Sequence, residues 1–503
     1  MNTHHVVIKN SLANVITGVS SALLAVALPP VLARTLAPGE FGAWALILQL
    51  AGYTAILNLG MQGAVGRYVS YYLAAGNRQS SDEFVSTAFA TLCVLAVIAL
   101  CGVLVASGLL AHLFPELPAA LVWQAKLCLC VVGAALALGL PVTVFNGVFA
   151  GIQRNEIIAL TLGSTRLLLT VLLAVTALTL HAILPLAAVF ALVYGVSYVA
   201  TWVLYKRLAA ARIARSLVRR RALQEIARYC GSTMVWIIAM ILISGADTAI
   251  VGRLDFSRVA AYAACLGPVS VIAGMQQALF SPLLQVGAVH SAAGDNERLN
   301  QTLLRATRLG TVILLAPMAT LLLFAPEILR IWLGPVYARQ VAVVFPLLIF
   351  GHAFRLVSMP YATLLLATAE HRRVVIAPVV EGLVNVTVAV LAGMRYGAAG
   401  VACAVVVGAV VSQSLNYFYN LPRTHGTPGL RARLFRESIC VPALCFAPAA
   451  LAFAGDRAGV PLASSVIVRG LVLLTSVALA WKFAVESQER QTVMKYLRRP
   501  AFG

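Results

Sequence analysis

Charge is what this chain has least of. Only 11% of its 503 residues are Asp, Glu, Lys or Arg, against about a quarter in a soluble domain. Acidic residues are scarcest: 17 Asp and Glu stand against 37 Lys and Arg. That deficit excludes an ordinary soluble enzyme, whose surface needs charge. The apolar share of 61% equally excludes a disordered chain. No P-loop occurs, so no intrinsic ATPase is expected. The eight His residues are scattered, and the nine Cys fall within apolar stretches. Cys128 and Cys130 form a lone C-x-C inside one of them. Neither a metal, a cofactor nor a disulfide framework is expected. Long loops are missing too. A membrane glycosyltransferase or polymerase would need a large acidic loop outside the bilayer, so the chain reads as a non-enzyme.

What is present is length and apolarity. Mean hydropathy is +0.91, and a bilayer core takes about 20 apolar residues per helix. Fourteen such stretches follow one another: 11–33, 41–64, 84–111, 120–148, 156–180, 183–205, 229–251, 258–286, 304–330, 341–367, 374–394, 397–421, 434–454 and 463–485. The expected fold is an all-α polytopic membrane protein. The first stretch is long and reads as a spanning helix, not a cleaved signal peptide. Pro442, Pro448 and Pro461 interrupt or flank the last two.

The net charge of +20 points to cytoplasmic loops rather than to nucleic acid. With the N terminus inside, the cytoplasmic side collects Lys9, Arg67, Arg78, Arg154, Arg298, Arg305, Arg308, Arg372, Arg373, Arg436 and the tail with Lys495, Arg498 and Arg499. Both termini are therefore expected in the cytoplasm. The longest loop, Lys206 to Arg228, holds eight basic residues and one Glu. Arg212, Arg215 and Arg219 recur in it at helical spacing, so it can lie as an interfacial helix on anionic lipid or serve as a solvated linker.

This loop also divides two halves that echo each other. Ala74-Ala75-Gly76-Asn77 and Ala292-Ala293-Gly294-Asp295 stand 218 positions apart, as do Trp44 and Tyr262, and Arg154 and Arg372. The expected organisation is a six-helix lobe (1–205), a basic linker (206–228), a second six-helix lobe (229–425) and two further helices with a tail (426–503). Two such lobes enter the membrane in the same sense, as a parallel repeat.

Ionisable residues inside apolar stretches mark function or internal pairing, because each costs about 2.5–3.5 kcal/mol at mid-bilayer. Asp247 can bind a coupling ion, or cap and pair locally, for example with Arg253. Arg355 is the deepest basic residue and suits a phosphate or acidic sugar, with Glu381 the obvious alternative partner. Glu381 itself can pair or snorkel. Arg166 can snorkel to a headgroup or meet substrate. Amides form a weaker stripe: Gln49 and Asn58 in the second stretch, Gln276 in the eighth. They line a polar path or serve helix packing.

Several ordered strings resemble the multidrug/oligosaccharidyl-lipid/polysaccharide (MOP) exporter superfamily, and its Wzx-type polysaccharide flippases above all. They are Leu36-Ala-Pro-Gly-Glu-Phe-Gly42, Leu59-Gly60-Met61 with Arg67, Asp247 with Ile250-Val251-Gly252, Pro326 to Gly334 with Tyr337, and Tyr396-Gly397-Ala-Ala-Gly400. The resemblance implies a flippase of the bacterial inner membrane. Such a protein moves undecaprenyl-pyrophosphate-linked oligosaccharide repeat units between leaflets for O-antigen, capsule or exopolysaccharide synthesis. It implies alternating access driven by H+ or Na+, one charge through 100 mV yielding about 2.3 kcal/mol. It also implies membrane lipids, a polysaccharide polymerase and export machinery as partners. Twelve helices are common in the family. Fourteen resemble the lipid II (peptidoglycan precursor) flippase branch, and the drug/cation antiporters are the other relative.

Overall fold

The computed structural model describes residues 3–208, 211–368, 374, 376–424, 429–461 and 465–491. Among them, fourteen helical segments are long and apolar enough to cross a bilayer. They are α1 (Thr17–Thr35), α2 (Pro38–Ala74), α3 (Arg78–Leu113), α4 (Ala119–Gly151), α5 (Asn155–Leu180), α6 (Ile183–Leu208), α7 (Ile237–Leu254), α8 (Phe256–Ser291), α9 (Asn296–Leu323), α10 (Val344–Ala367), α11 (Ile376–Tyr396), α12 (Ala398–Thr424), α13 (Leu430–Arg457) and α14 (Val466–Phe483). Each answers to one of the fourteen apolar stretches. Large apolar side chains stand exposed along them, such as Leu104 at 62%, Leu160 at 65% and Leu451 at 73%. Water would not tolerate that belt; acyl chains do.

Two compact units make up the chain. The first joins Met1–Ser270 to Ala389–Val401, and the second joins Val271–Val388 to Ala402–Gly503. In the first, α3, α4 and α6 meet around stacked rings. Phe145 lies between Phe89 at 5.8 Å and Tyr205 at 4.6 Å between centroids.

The segment α2 is not one helix. It runs Pro38–Gly52, tightens to a 3-10 turn over Tyr53–Asn58, and restarts at Met61. Leu59 and Gly60 both take left-handed conformations, with φ 51° and 74°. Sequence pattern alone gave one continuous stretch, because every residue at the break except Asn58 is apolar, small or aromatic. The restarted half lies almost backbone to backbone on α4. A Cβ on Gly147 would stand 2.9 Å from the Gln62 carbonyl oxygen, and one on Gly151 would stand 3.0 Å from that of Gly66. Small residues permit this approach, and larger ones would prevent it.

The basic loop does not form one interfacial helix. Arg212, Arg215 and Arg219 fall on mostly extended chain with a single 3-10 turn, Arg215–Leu217. Polar groups at the start of α3 compete for its backbone: Asp82 accepts from the Arg212 amide at 2.8 Å and Thr87 from the Arg219 amide at 3.0 Å. A regular helix begins only at Arg220 and runs to Met240.

The strings around Gly76 and Gly294 fold into the same turn. Both glycines are left-handed, at φ 70° and 68°. Asn77 then accepts the Ser80 amide, and Asp295 the Arg298 amide, each at 3.0 Å. These side chains start α3 and α9 by satisfying an orphan donor of the first turn. Arg372, the proposed counterpart of Arg154, lies outside the described residues.

In the second unit, α9 stops at Leu323, short of the expected 330. A new helix, Ala325–Leu333, carries Pro326 in its first turn, and that residue has no amide proton to continue the old one. The last two segments pack on α9 through Val312, Cys445, Phe446 and Ala480. Charge fastens them at two levels. Arg469 of α14 is 3% exposed. It donates to both Glu327 oxygens at 2.9 and 3.0 Å, to Asp456 at 2.6 Å and to the Leu323 carbonyl at 3.0 Å. Fifteen residues earlier on α9, about 22 Å along the axis, Arg308 reaches Glu486 at 2.5 Å and Glu489 at 3.3 Å beyond the end of α14.

Candidate functional site

In the first unit the polar residues gather at an irregular turn. The helix from Arg220 widens to a π turn over Ile241–Gly245 before α7 resumes at Asp247. Such widening frees a carbonyl from the helical ladder and recurs at functional sites. Gln49 Nε2 and Tyr53 OH, one helical turn apart on α2, both donate to the Gly245 oxygen at 2.6 Å. They border a cavity of about 420 Å³ with Ile56, Met240 and Ile241. Asp247 is 3% exposed and lies within electrostatic reach of Tyr53. It opens the α-helical stretch Asp247–Leu254 that follows the π turn, where a carboxylate is suited to the free amides of a first turn. Arg253, offered as its partner, donates instead to the carbonyls of His112 and Leu113 at 3.1 and 3.0 Å.

Asn58 and Arg166 lie apart from this turn. Asn58 ends the α2 break, where Thr143 donates to it at a long 3.5 Å. Arg166 is held on α1, donating to Ser21 Oγ at 2.5 Å and to the Thr17 carbonyl at 3.2 Å.

In the second unit, Arg355 of α10 donates from Nε to Glu381 of α11 at 2.7 Å. The two side chains are 16% and 7% exposed, so the pair is largely out of water. Asn385, one turn beyond Glu381, is fully buried. Gly408 of α12 faces both, and a Cβ there would meet the Glu381 carbonyl and the Asn385 side chain at 3.4 Å. Gln276 is buried on α8 at 5% exposure. Among the described residues it bonds to neither member of the pair.

The Tyr396-Gly397-Ala-Ala-Gly400 string turns out to be an architectural corner. Gly397 is left-handed at φ 58°. Asp255 of α8's approach accepts the Ala398 amide at 3.1 Å and so caps α12 from outside. A Cβ on Gly400 would collide with the Ala392 carbonyl.

Two charged clusters escaped sequence reading. Arg469 with Glu327 and Asp456 is signalled by a lone charge six residues past the start of the 463–485 stretch. Glu437, Glu486 and Glu489 were signalled as acids on a side otherwise rich in arginine.

A family model described as polysaccharide biosynthesis protein matches residues 7–286, more than half of the chain. None of the curated proteins compared with the chain matches it. Among solved structures, the lipid II flippase MurJ in an inward closed conformation is similar over 99% of this chain and 100% of its own, with TM-score 0.72 and 12% identity. An inward-facing multidrug resistance MATE family transporter of the MOP superfamily covers 84% of this chain and 98% of its own, with TM-score 0.66 and 18% identity. A MOP superfamily transporter from Pyrococcus furiosus covers 86% and 96%, with TM-score 0.60 and 17% identity. At such identities the likeness is one of fold. The chain is thus a multi-pass membrane protein with the fold of the MOP superfamily transporters, and it belongs to the polysaccharide biosynthesis protein family.

Proposed function

We propose that the protein flips undecaprenyl-pyrophosphate-linked oligosaccharide repeat units across the bacterial inner membrane, with both termini in the cytoplasm. Its role is transport for O-antigen, capsule or exopolysaccharide assembly, not catalysis. The observation that carries this reading is the family match over residues 7–286. The cargo has a polar, anionic head and a long apolar tail. Arg355 supports the reading as a buried guanidinium that can grip a pyrophosphate through parallel N–H groups. Glu381 holds it at 2.7 Å, so an arriving pyrophosphate takes the place of that carboxylate.

Asp247 is the proposed site for H+ or Na+, because it is buried beside a carbonyl that already gathers polar groups. Gln49, Asn58, Gln276 and Arg166 are lesser contacts. Gln49 and Arg166 have protein partners to leave before they could meet substrate. A polysaccharide polymerase and export machinery are the expected downstream partners.

A second reading, a lipid II flippase, is favoured by one observation. The likeness to MurJ extends over 99% of the chain, the last two segments included. A MATE-like drug antiporter shares the fold alone. The deciding experiment is a strain lacking this protein. Complete lipid-linked repeat units trapped on the inner leaflet, with surface polysaccharide lost, support the first reading. Lysis with accumulated peptidoglycan precursor supports the second, and normal polysaccharide with new sensitivity to cationic dyes the antiporter. In the complemented strain, D247N or R355A proteins that insert normally and still flip would remove those residues from the mechanism.

A further inference from the structure

The second unit holds a polar cavity of about 770 Å³, within the usual range of ligand sites. It opens where α8 ends, α9 and α13 begin, and the chain leaves α14. Successive crossings bring those four ends to one side of the bilayer, at the depth of one leaflet's headgroups.

The walls are charged. Arg298, Arg305 and Arg308 come from α9, and Arg433 and Arg436 from the start of α13. His290 adds a ring from the end of α8. Three carboxylates line the same space, and each is engaged. Glu486 accepts from Arg308 at 2.5 Å. Glu489 meets Arg305 at 2.6 Å and Arg308 at 3.3 Å. Glu437 meets Arg436 at 2.9 Å and Arg308 at 3.5 Å.

Two cations remain beyond this network. Arg433 has no carboxylate partner among the described residues. Arg298 meets only Asp295 of its own turn, at 3.2 Å, with 71% of its side chain exposed. The cavity therefore carries more guanidinium than carboxylate, and the surplus lies on two different helices. A concave surplus of planar, bidentate donors matches a tetrahedral oxyanion better than it matches a sugar hydroxyl or a carboxamide. At headgroup depth, the oxyanion in reach is a phosphate.

We propose that this cavity binds a phosphate-bearing anion, with Arg298 and Arg433 as its contacts and an anionic membrane lipid as its source. The site is separate from the Arg355–Glu381 pair, which belongs to α10 and α11. Its occupant would brace α9 against α13, and the binding does not depend on which cargo the protein moves.

The test uses the full-length protein in nanodiscs. One arm compares retention of phosphatidylglycerol with that of phosphatidylcholine by native mass spectrometry. The other adds inorganic pyrophosphate to phosphatidylcholine nanodiscs and reads the melting temperature. The variant is R298A/R433A, which leaves all three engaged carboxylates their arginines. The control is R330A/R339A, which removes two exposed arginines of the second unit that lie outside the cavity. The expected result is selective retention of phosphatidylglycerol by wild type and control, weakened roughly tenfold in R298A/R433A. R298K/R433K should fall between them, keeping charge while losing the paired donors. Stabilisation by pyrophosphate without lipid selectivity, lost in R298A/R433A, would make the source a soluble phosphate and overturn the lipid assignment. Neither response in wild type, or equal binding by R298A/R433A and wild type, would overturn the site.

Discussion

Replacing Arg469 asks how firmly charge holds the last two helices. Its guanidinium is 3% exposed and makes, among the described residues, four hydrogen bonds, two of them to Glu327. The partners differ in what they lose. Glu327 is 38% exposed and regains water when abandoned, whereas Asp456 is only 23% exposed. R469A therefore strands mainly Asp456 and the Leu323 carbonyl. Its expected cost is about 3–5 kcal/mol, that of breaking a buried pair from one side. D456N should cost about 1–3 kcal/mol as a weakened buried hydrogen bond. E327Q should cost about 0–1 kcal/mol, as for an exposed pair. R469K cannot serve three acceptors in one plane and should fall close to R469A. Removing the whole cluster with R469M/E327M/D456L should recover most of the loss, because no ion is then left unpaired. Reversible denaturation and melting of the detergent-purified protein give the order. An R469A protein as stable as wild type, or a triple variant less stable than R469A, would refute the reasoning.

The Arg355–Glu381 pair should behave as one unit: R355A and E381A each destabilise by about 3–5 kcal/mol, while R355A/E381A costs less than their sum, as a double-mutant cycle in the same assay would read. G147A forces a Cβ against Gln62 and Val65 and should cost about 1–3 kcal/mol; G147L should fail to fold, visible as loss of the monodisperse peak in size-exclusion chromatography. D255A removes the outside cap of α12 and should cost about 0.5–2 kcal/mol, with faster hydrogen exchange at the Ala398 amide. A chain ending after Thr424 leaves Arg308 and Glu327 without their partners from α13, α14 and beyond, and should accumulate poorly by in-gel fluorescence of a fused reporter.

The fourteen crossings were legible because twenty apolar residues in a row is a strong and length-specific signal. The irregularities within them were not. Leu59 and Gly60 reverse the backbone inside an apolar string, so hydropathy passes over the α2 break. The π turn before Asp247 likewise leaves no mark in composition, and Gln49 in the second stretch is the one sequence sign of the polar contact it makes there. Arg355 and Glu381 could be paired on paper, since two buried opposite charges on successive segments have few other outlets. Arg253 turns to the carbonyls of His112 and Leu113 and not to Asp247, because carbonyls at the end of α3 are acceptors that no side-chain inventory reveals. In the sequence Arg305 and Arg308 read only as positive charge on the cytoplasmic side, and their distances to Glu437, Glu486 and Glu489 turn that charge into a network.

The divided α2 has a mechanical consequence. One half is keyed into the glycine groove of α4 and acts as an anchor. The other, Pro38–Gly52, is a 15-residue arm, about 22 Å long, joined at Tyr53–Asn58. A swing of about 10° at that joint carries the Pro38 end about 4 Å, yet shifts Gln49 by only about 1 Å. The hydrogen bonds to Gly245 sit beside the fulcrum and survive such a bend, whereas the far end, buried over Phe41–Ile47, moves only together with the side chains packed on it.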